Sequence, residues 1–301
     1  MPINPPKLIV PPFLQPGDTI GIVTPASPFR TETLRKGVQL LRQWGFKVFL
    51  GRKNIPRKGY LAGTDRERAR ELMDLFLNPD IRALICARGG YGCLRLLDLL
   101  DYEAIKKHPK LFMGFSDVTA LLTAFYNRAD LMSFHGPMVT TLPQMGPPVQ
   151  RKVKAVLTGH FQMKIPLEEK KVIRAGSARG RLTGGNLTLL SHLIGTPFEP
   201  LWDRAILFLE DCGEAAYRLD RLFLHLKLCG VLDRVSAILL GTFTGPDNRA
   251  MPLHFLKNLL EGVKVPVWGG LPFGHGLLNI PLPIGAPAFL DGDNRLLRID
   301  L

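Results

Sequence analysis

The run Leu111-Phe112-Met113-Gly114-Phe115-Ser116-Asp117-Val118-Thr119 passes from a short apolar strand into a turn and then into a second apolar run, Val118 to Phe125. Five consecutive apolar or glycine positions read as a strand buried on both faces, and the longer run beyond them reads as a helix. The chain therefore leaves a sheet and enters a helix at Ser116. A serine at such a turn has the placement of a nucleophile elbow. Its hydroxyl is lifted out of the sheet, the N–H groups opening the helix point toward any oxyanion formed beside it, and the helix dipole favours negative charge there. The same position also suits an N-cap, whose side-chain oxygen accepts a bond from the first helical turn.

Working outward, the first half alternates strand and helix. Thr19 to Thr24 is an apolar strand run; Leu34, Val38 and Leu41 mark one face of a helix that Gly45 closes; Phe46 to Leu50 follows as a strand. Thr64-Asp65-Arg66-Glu67 has the capping-box spacing, with Ala69, Leu72, Met73 and Phe76 on one helical face and a stop at Asn78-Pro79. Ile81 to Ala87 is the next strand, and Arg88-Gly89-Gly90-Tyr91-Gly92 is its exit loop. Strands separated by helices predict an α/β fold with a doubly wound parallel sheet, whose ligands gather at the carboxyl ends of the strands.

The second half offers strands at Ala205 to Leu209, Ala237 to Leu240 and Val265 to Trp268, a helix from about Ala215 to Cys229 ended by Gly230, and a closing hairpin around Asp291-Gly292-Asp293-Asn294. It reads as a separate α/β or β-rich domain. The expected division is an N-terminal domain over 1–145, a polar, basic connection with one short helix over 146–178, and a C-terminal domain over 179–301.

At 301 residues and 46% hydrophobic composition the chain has material for about two cores. No run of 18 or more uncharged apolar residues is present, so no membrane span is expected. Met1 to Lys7 lacks a long apolar segment and reads as an extended lead-in. Cys86, Cys93, Cys212 and Cys229 form no C-x-x-C pair and no Cys/His ligand spacing, which points to a reduced, cytoplasmic setting without structural zinc. The H-E-x-x-H and P-loop signatures are absent as well. The formal charge of +13 is shared between the halves, +8 over residues 1–150 and +5 over 151–301. Basic clusters at Arg52-Lys53, Arg57-Lys58 and Arg151-Lys152-x-Lys154 lack interleaved aromatics for base stacking, so a solvated basic surface or attraction of an acidic small substrate is expected rather than nucleic-acid binding.

Downstream of Ser116, a carboxylate and a histidine occupy comparable positions. Leu207-Phe208-Leu209-Glu210-Asp211 ends a strand run in two acids, and Pro272-Phe273-Gly274-His275-Gly276 sets a histidine in a glycine-flanked loop. A serine hydroxyl needs an adjacent base to become nucleophilic, and the base needs a carboxylate to hold its tautomer and steady the imidazolium. Such a base implies activity that rises with pH through the neutral range. A strand-end Glu equally suits a surface ion pair and a Gly-His-Gly loop a plain turn, and His108, His135, His160, His192, His225 and His254 compete for the base role. The glycine loop after Ala87 lacks the third glycine of a dinucleotide fingerprint, the pattern from Gly90 running Gly-Tyr-Gly-Cys-Leu-Arg. Its bare N–H groups suit an oxyanion hole, assigned to Gly90 together with Asp117, with Gly89 equally placed.

Seven runs in order, Gly59-Tyr60-Leu61-Ala62-Gly63-Thr64-Asp65, Arg88-Gly89-Gly90-Tyr91-Gly92, Gly114-Phe115-Ser116-Asp117, Ser133-Phe134-His135-Gly136-Pro137-Met138, Gly184-Gly185-Asn186-Leu187, Leu209-Glu210-Asp211 and Phe273-Gly274-His275, resemble the LD-carboxypeptidase family of serine peptidases. The resemblance spans nearly the whole chain. It implies Ser116 as nucleophile, Glu210 as the residue that orients the base and His275 as the base, meeting where the two domains face each other. It also implies cleavage of an L,D-peptide bond that releases terminal D-alanine from murein tetrapeptides in cell-wall recycling, an anionic muropeptide as partner, no metal or organic cofactor, and a homodimer. Other members of the family hydrolyse peptidyl-nucleotide antibiotics with the same triad. One departure is visible: Ala215-Ala216-Tyr217-Arg218 stands where the family often has Pro-Tyr-Arg, which affects the path of that loop rather than the chemistry. Glu214, one turn beyond Glu210 if a helix has begun, is a candidate for a substrate ammonium or an exposed helix-start acid. Asn186 is a candidate substrate contact or an N-cap. A non-catalytic two-domain binding protein is the alternative from another class.

Overall fold

The computed structural model describes residues 7–51, 57–160 and 162–300. The lead-in at Met1 to Pro6 and the basic pair Arg52-Lys53 lie outside the described residues. The chain divides into two compact units, 1–161 with 281–283, and 162–280 with 284–301.

The first unit alternates as its periodicity predicts: β1 (Thr19–Val23), α1 (Thr31–Gln43), β2 (Lys47–Leu50), α2 (Asp65–Leu77), β3 (Ile81–Cys86), α3 (Tyr102–Lys107), β4 (Leu111–Gly114), α4 (Thr119–Ala129), β5 (Ser133–His135) and α5 (Pro147–Leu157). The capping box forms: the Thr64 N–H donates to the Glu67 carboxylate at 2.7 Å and the Glu67 N–H donates to the Thr64 hydroxyl at 3.3 Å. Strands β2, β1, β3, β4 and β5 lie side by side in that order, each neighbouring pair parallel. A late strand, β12 (Leu282–Ile284), joins the sheet beside β5. The chain builds β2 on one side of β1 and then returns to build β3 on the other. The reversal falls between β1 and β3, so the loops leaving these strands part there and open a crevice at the carboxyl edge. Phe76 of α2, Phe112 of β4 and Phe125 of α4 pack edge-on and stacked at 4.9–6.1 Å and are fully buried. Each contributes about 2–3 kcal/mol of burial and anchors the strand–turn–helix unit around Ser116.

The second unit contains β6 (Met163–Pro166), β7 (Val172–Arg174), β8 (Ala178–Asn186), α6 (Leu187–Leu193), β9 (Ile206–Asp211), α7 (Ala216–Leu228), α8 (Val231–Arg234), β10 (Ala237–Phe243), α9 (Leu253–Leu259), β11 (Val267–Trp268), β13 (Pro287–Asp291) and β14 (Leu296–Ile299). Its sheet runs β6-β14-β13-β8-β9-β10-β11-β7, parallel from β8 to β11 and antiparallel on both flanks, so the open choice for this half resolves as α/β. Trp202, Leu207, Leu209, Leu219, Phe223, Leu226, Ile238 and Leu240 are among its core residues. The segment 146–178, expected as a connection, supplies α5 to the first unit and β6 and β7 to the second. Its strands are only four and three residues long, too short for a period-two pattern to stand out from the surrounding basic residues. Among the described residues no helix is long and apolar enough to cross a membrane.

Candidate active site

Ser116 stands at the exit of β4 with φ of 64°, in the left-handed region that a non-glycine residue enters only at a cost of about 1–3 kcal/mol. An N-cap has extended backbone, so this conformation excludes the plain capping reading and gives the sharp turn of a nucleophile elbow. A 3₁₀ turn over Ser116–Val118 carries the chain into α4. The close passage depends on Gly114, where a Cβ would come within 2.7 Å of the Val118 side chain and 3.2 Å of the Cys86 Sγ.

The glycine loop leaving β3 lies against this turn. A Cβ on Gly89 would lie 3.1 Å from the Ser116 Cβ and 3.3 Å from its Oγ, so only a glycine leaves the hydroxyl room. Gly90 has φ of +117° and faces Ser27 instead, a Cβ there meeting the Ser27 Oγ at 2.3 Å. Of the two glycines open to the oxyanion role, Gly89 is thus the one packed on the serine, with Gly90 following it. Asp117 is buried and its carboxylate accepts from the Cys93 N–H at 2.8 Å, tying the elbow to the end of the loop. Burial pushes the Asp117 carboxyl above the usual range, and the N–H bonds from Cys93 and Gly92 pull it part of the way back.

In the second unit, Glu210 is fully buried at the end of β9. Its Oε2 accepts from the His275 backbone N–H at 3.1 Å and meets the His275 Nδ1 at 2.6 Å. With the Nδ1 proton held by the carboxylate, the Nε2 lone pair is left to act as a base. The loop geometry requires Gly274: its φ is +99°, and a Cβ would lie 2.6 Å from the Glu210 Cβ. The buried Asn279 carbonyl oxygen accepts from the Gly274 N–H at 3.1 Å and holds the loop. Burial by itself would lower the His275 pKa, but the Glu210 carboxylate and the Cys212 side chain override it, and the net shift is upward. Five competing histidines, His108, His160, His192, His225 and His254, lie on the exposed surface, and His135 is buried edge-on to Phe115 at 5.9 Å.

Asn186 caps α6, its oxygen accepting from the Leu189 N–H at 3.2 Å. Its amide nitrogen donates to Glu210 at 3.4 Å and Asp211 at 2.8 Å, and the side chain is buried. The β8–β9 register sets Asn186 opposite Glu210, and Gly184 allows the approach, since a Cβ there would fall 1.9 Å from the Phe208 carbonyl oxygen. Glu214 precedes α7 rather than lying within a helix; it is half-buried and 3.7 Å from Arg218. Three further groups hold the candidate residues in place, and the sequence assigns none of them a role. Asp211 accepts four hydrogen bonds, from Asn186, from both the N–H and hydroxyl of Thr188, and from the Cys212 N–H. Asn279 and Arg68 are the others. The Arg68 signal was present, a charge one position before Ala69 on the apolar face of α2, where charges are rare unless paired.

The family of LD-carboxypeptidase N-terminal domains matches residues 20–136, and that of LD-carboxypeptidase C-terminal domains matches residues 179–290. The chain is 37% identical over 292 residues to the murein tetrapeptide carboxypeptidase of Pseudomonas aeruginosa, covering 92% of this chain and 94% of the relative. It is 33% identical over 323 residues to the microcin C7 self-immunity protein MccF of Escherichia coli, covering 94% of this chain and 93% of the relative. The crystal structure of muramoyltetrapeptide carboxypeptidase from Oxalobacter formigenes aligns with a TM-score of 0.81 at 32% identity, covering 93% of this chain and 97% of that one. These matches and the fold define a serine-type carboxypeptidase, a hydrolase of peptide bonds. Within that class, the chain belongs to the LD-carboxypeptidase family.

Proposed function

We propose that this protein is a cytoplasmic peptidase that cleaves the L,D-peptide bond before the terminal D-alanine of murein tetrapeptides, in the recycling of cell-wall peptides. The observation that carries the reading is Ser116, a hydroxyl on a left-handed elbow with a side-chain-free glycine against it. Identity to a murein tetrapeptide carboxypeptidase supports the substrate. In the proposed mechanism the His275 Nε2 takes the proton of Ser116 as Oγ attacks the scissile carbonyl. Glu210 holds the Nδ1 proton and stabilises the imidazolium, and N–H groups of the Gly89–Gly90 loop and of Asp117 receive the oxyanion. The imidazolium then protonates the leaving amine, D-alanine departs, and water activated by the same imidazole resolves the acyl-enzyme. Asn186 acts through Glu210 and Asp211, and Glu214 is the substrate-side acid for an ammonium group of the peptide.

Similarity to MccF favours a second reading, hydrolysis of a peptidyl-nucleotide through the same serine. Mass spectrometry of products from L-Ala-D-Glu-meso-diaminopimelate-D-Ala, its terminal L-Ala diastereomer and an acidic aminoacyl sulfamoyl nucleoside separates the two. Release of D-alanine from the first peptide alone is expected. Turnover of the nucleoside with no release from either peptide would replace the murein assignment.

A further inference from the structure

We propose that Arg68 is a positioning residue, whose buried guanidinium sets the glycine loop against the Ser116 hydroxyl. The inference rests on the oxyanion role given to that loop above.

Arg68 lies in the first turn of α2 on the same side as Ala69, Leu72 and Phe76, and its side chain is fully buried. A buried guanidinium is costly unless its donors meet acceptors, and while the buried Nε meets none among the described residues, both terminal nitrogens are spent. Here Nη1 donates to two backbone carbonyls, Pro25 in the loop after β1 and Gly92 in the loop after β3, the second at 2.9 Å. Nη2 donates to the Asp65 carboxylate at 2.5 Å, which is held in turn by the forked Arg95 at 2.7–3.0 Å. One nitrogen thus joins the two loops that diverge where the strand order reverses. The contact is close: a Cβ on Gly92, whose φ is +132°, would lie 2.6 Å from Nη1.

The loop has further ties within the same unit: the Ser27 N–H donates to the Gly89 carbonyl at 3.4 Å, and the Arg88 guanidinium donates to the Pro28 carbonyl at 3.2 Å. The Ser27 hydroxyl accepts from the Tyr91 N–H at 3.2 Å, and Asp117 accepts from the Cys93 N–H at 2.8 Å. Tyr91, Gly92 and Cys93 are therefore each held, by Ser27, Arg68 and Asp117, while Gly89, just before them, is the residue packed on the Ser116 Oγ. Ser27 and Pro28 link the same two loops directly, and Arg68 adds the middle tie from a third element, α2, through a charged group that holds a carbonyl of each loop. A lysine retains the charge but lacks the planar fork needed to serve carbonyls on one side and a carboxylate on the other.

The test compares wild type with Arg68→Ala, Arg68→Lys and Asp65→Asn. Each is followed by the rate of fluorophosphonate labelling at Ser116, by kcat and KM for D-alanine release, and by thermal melting. Arg68→Ala is expected to lower kcat and labelling rate by about a hundredfold, the loss typical of one oxyanion donor, with KM changed by less than about threefold. Added methylguanidinium restores part of both rates in Arg68→Ala and none in Ser116→Ala. Arg68→Lys and Asp65→Asn, the latter at a partly exposed carboxylate, are expected to slow labelling about tenfold, and they decide the matter if the alanine variant does not fold. Wild-type labelling and kcat in any folded Arg68 variant would assign Arg68 to the core alone and overturn the proposal. Failure of wild-type enzyme to label at Ser116 would instead remove the serine assignment, and the positioning role with it.

Discussion

Ser116 and His275 are held by different means. Around Ser116 the structure relies on shape: a left-handed φ, a glycine at Gly114 that lets the helix turn close, and a glycine at Gly89 that leaves the hydroxyl uncovered. Around His275 it relies on charge: a fully buried Glu210 beside a buried Asp211, each satisfied by a set of N–H, amide and hydroxyl donors. A group held by sterics responds to changes in volume and backbone freedom and is nearly indifferent to pH. A group held by a buried carboxylate responds to protonation and to the loss of a single charge. The contrast predicts that the two regions fail in different experiments.

The largest effect is expected at the elbow. Ser116→Ala should lower kcat/KM by about 10⁴-fold or more, in the range of nucleophile removals, with a melting temperature close to wild type. Retention of a tenth of the activity would break the comparison at its first term. Ser116→Gly, equally inactive, should be more stable than the alanine variant by about 1 kcal/mol, since glycine adopts φ of 64° without strain. Denaturant titration of the pair measures that strain directly.

At the charge-held region, Glu210→Gln should lower kcat by about 10³- to 10⁴-fold, as loss of the orienting carboxylate does in serine triads. The imidazole must be neutral to accept a proton, and the carboxylate raises its pKa, so the wild-type pH–rate profile should climb at higher pH than an unperturbed histidine near 6.5 dictates. The upward shift moves the expected limb from the neutral range toward alkaline pH, and Glu210→Gln should bring its midpoint back down. The stability linkage has the corresponding sign. A histidine whose folded pKa is raised stabilises the fold fully below about pH 6.5, and this contribution is lost as pH rises through the folded pKa. Glu210→Gln should therefore cost more stability at pH 6 than at pH 10. Equal losses at the two pH values would count against the charge-held description.

A smaller effect, through shape at the charge-held site, sharpens the contrast. Gly274→Ala places a Cβ against Glu210 at a φ of +99°, and displacement of His275 on the order of 1 Å should reduce kcat by about a hundredfold. The pH midpoint should move less than in Glu210→Gln, because the carboxylate remains. The smallest effect is expected from chelation. Prolonged EDTA treatment should leave kcat/KM within error of the untreated enzyme, and a loss restored by zinc would displace the serine mechanism.

Much of the first unit was legible because its signals are local. The capping box at Thr64, the helix stop at Asn78 and the apolar run into Ser116 each depend on residues within a few positions of one another. The glycine of the His275 loop was visible as a turn, while its reason, contact with the Glu210 Cβ, was not. The return of β12 to the first sheet and the two short strands within 146–178 left little periodicity to read. Asn186 fitted two roles by its position, and only the strand register brought it opposite Glu210. Arg68 was visible as a charge on an apolar helical face, but its partners at Pro25 and Gly92 lie 43 and 24 residues away.

By itself the sequence determined where the longer strands and helices of the first unit lie, where a non-helical turn interrupts them and, through seven ordered motifs, the family, and it named three candidate chemical groups. Those properties follow from backbone sterics and from the periods of apolar side chains, which act over a few residues. The tertiary structure decided which buried groups answer one another: Glu210 with His275 across 65 residues, Asp117 with Cys93, and Arg68 with two loops at once. A buried charge or N–H is stable only beside a complementary atom, and in each of these cases that atom is supplied by a distant segment that packing alone brings into reach.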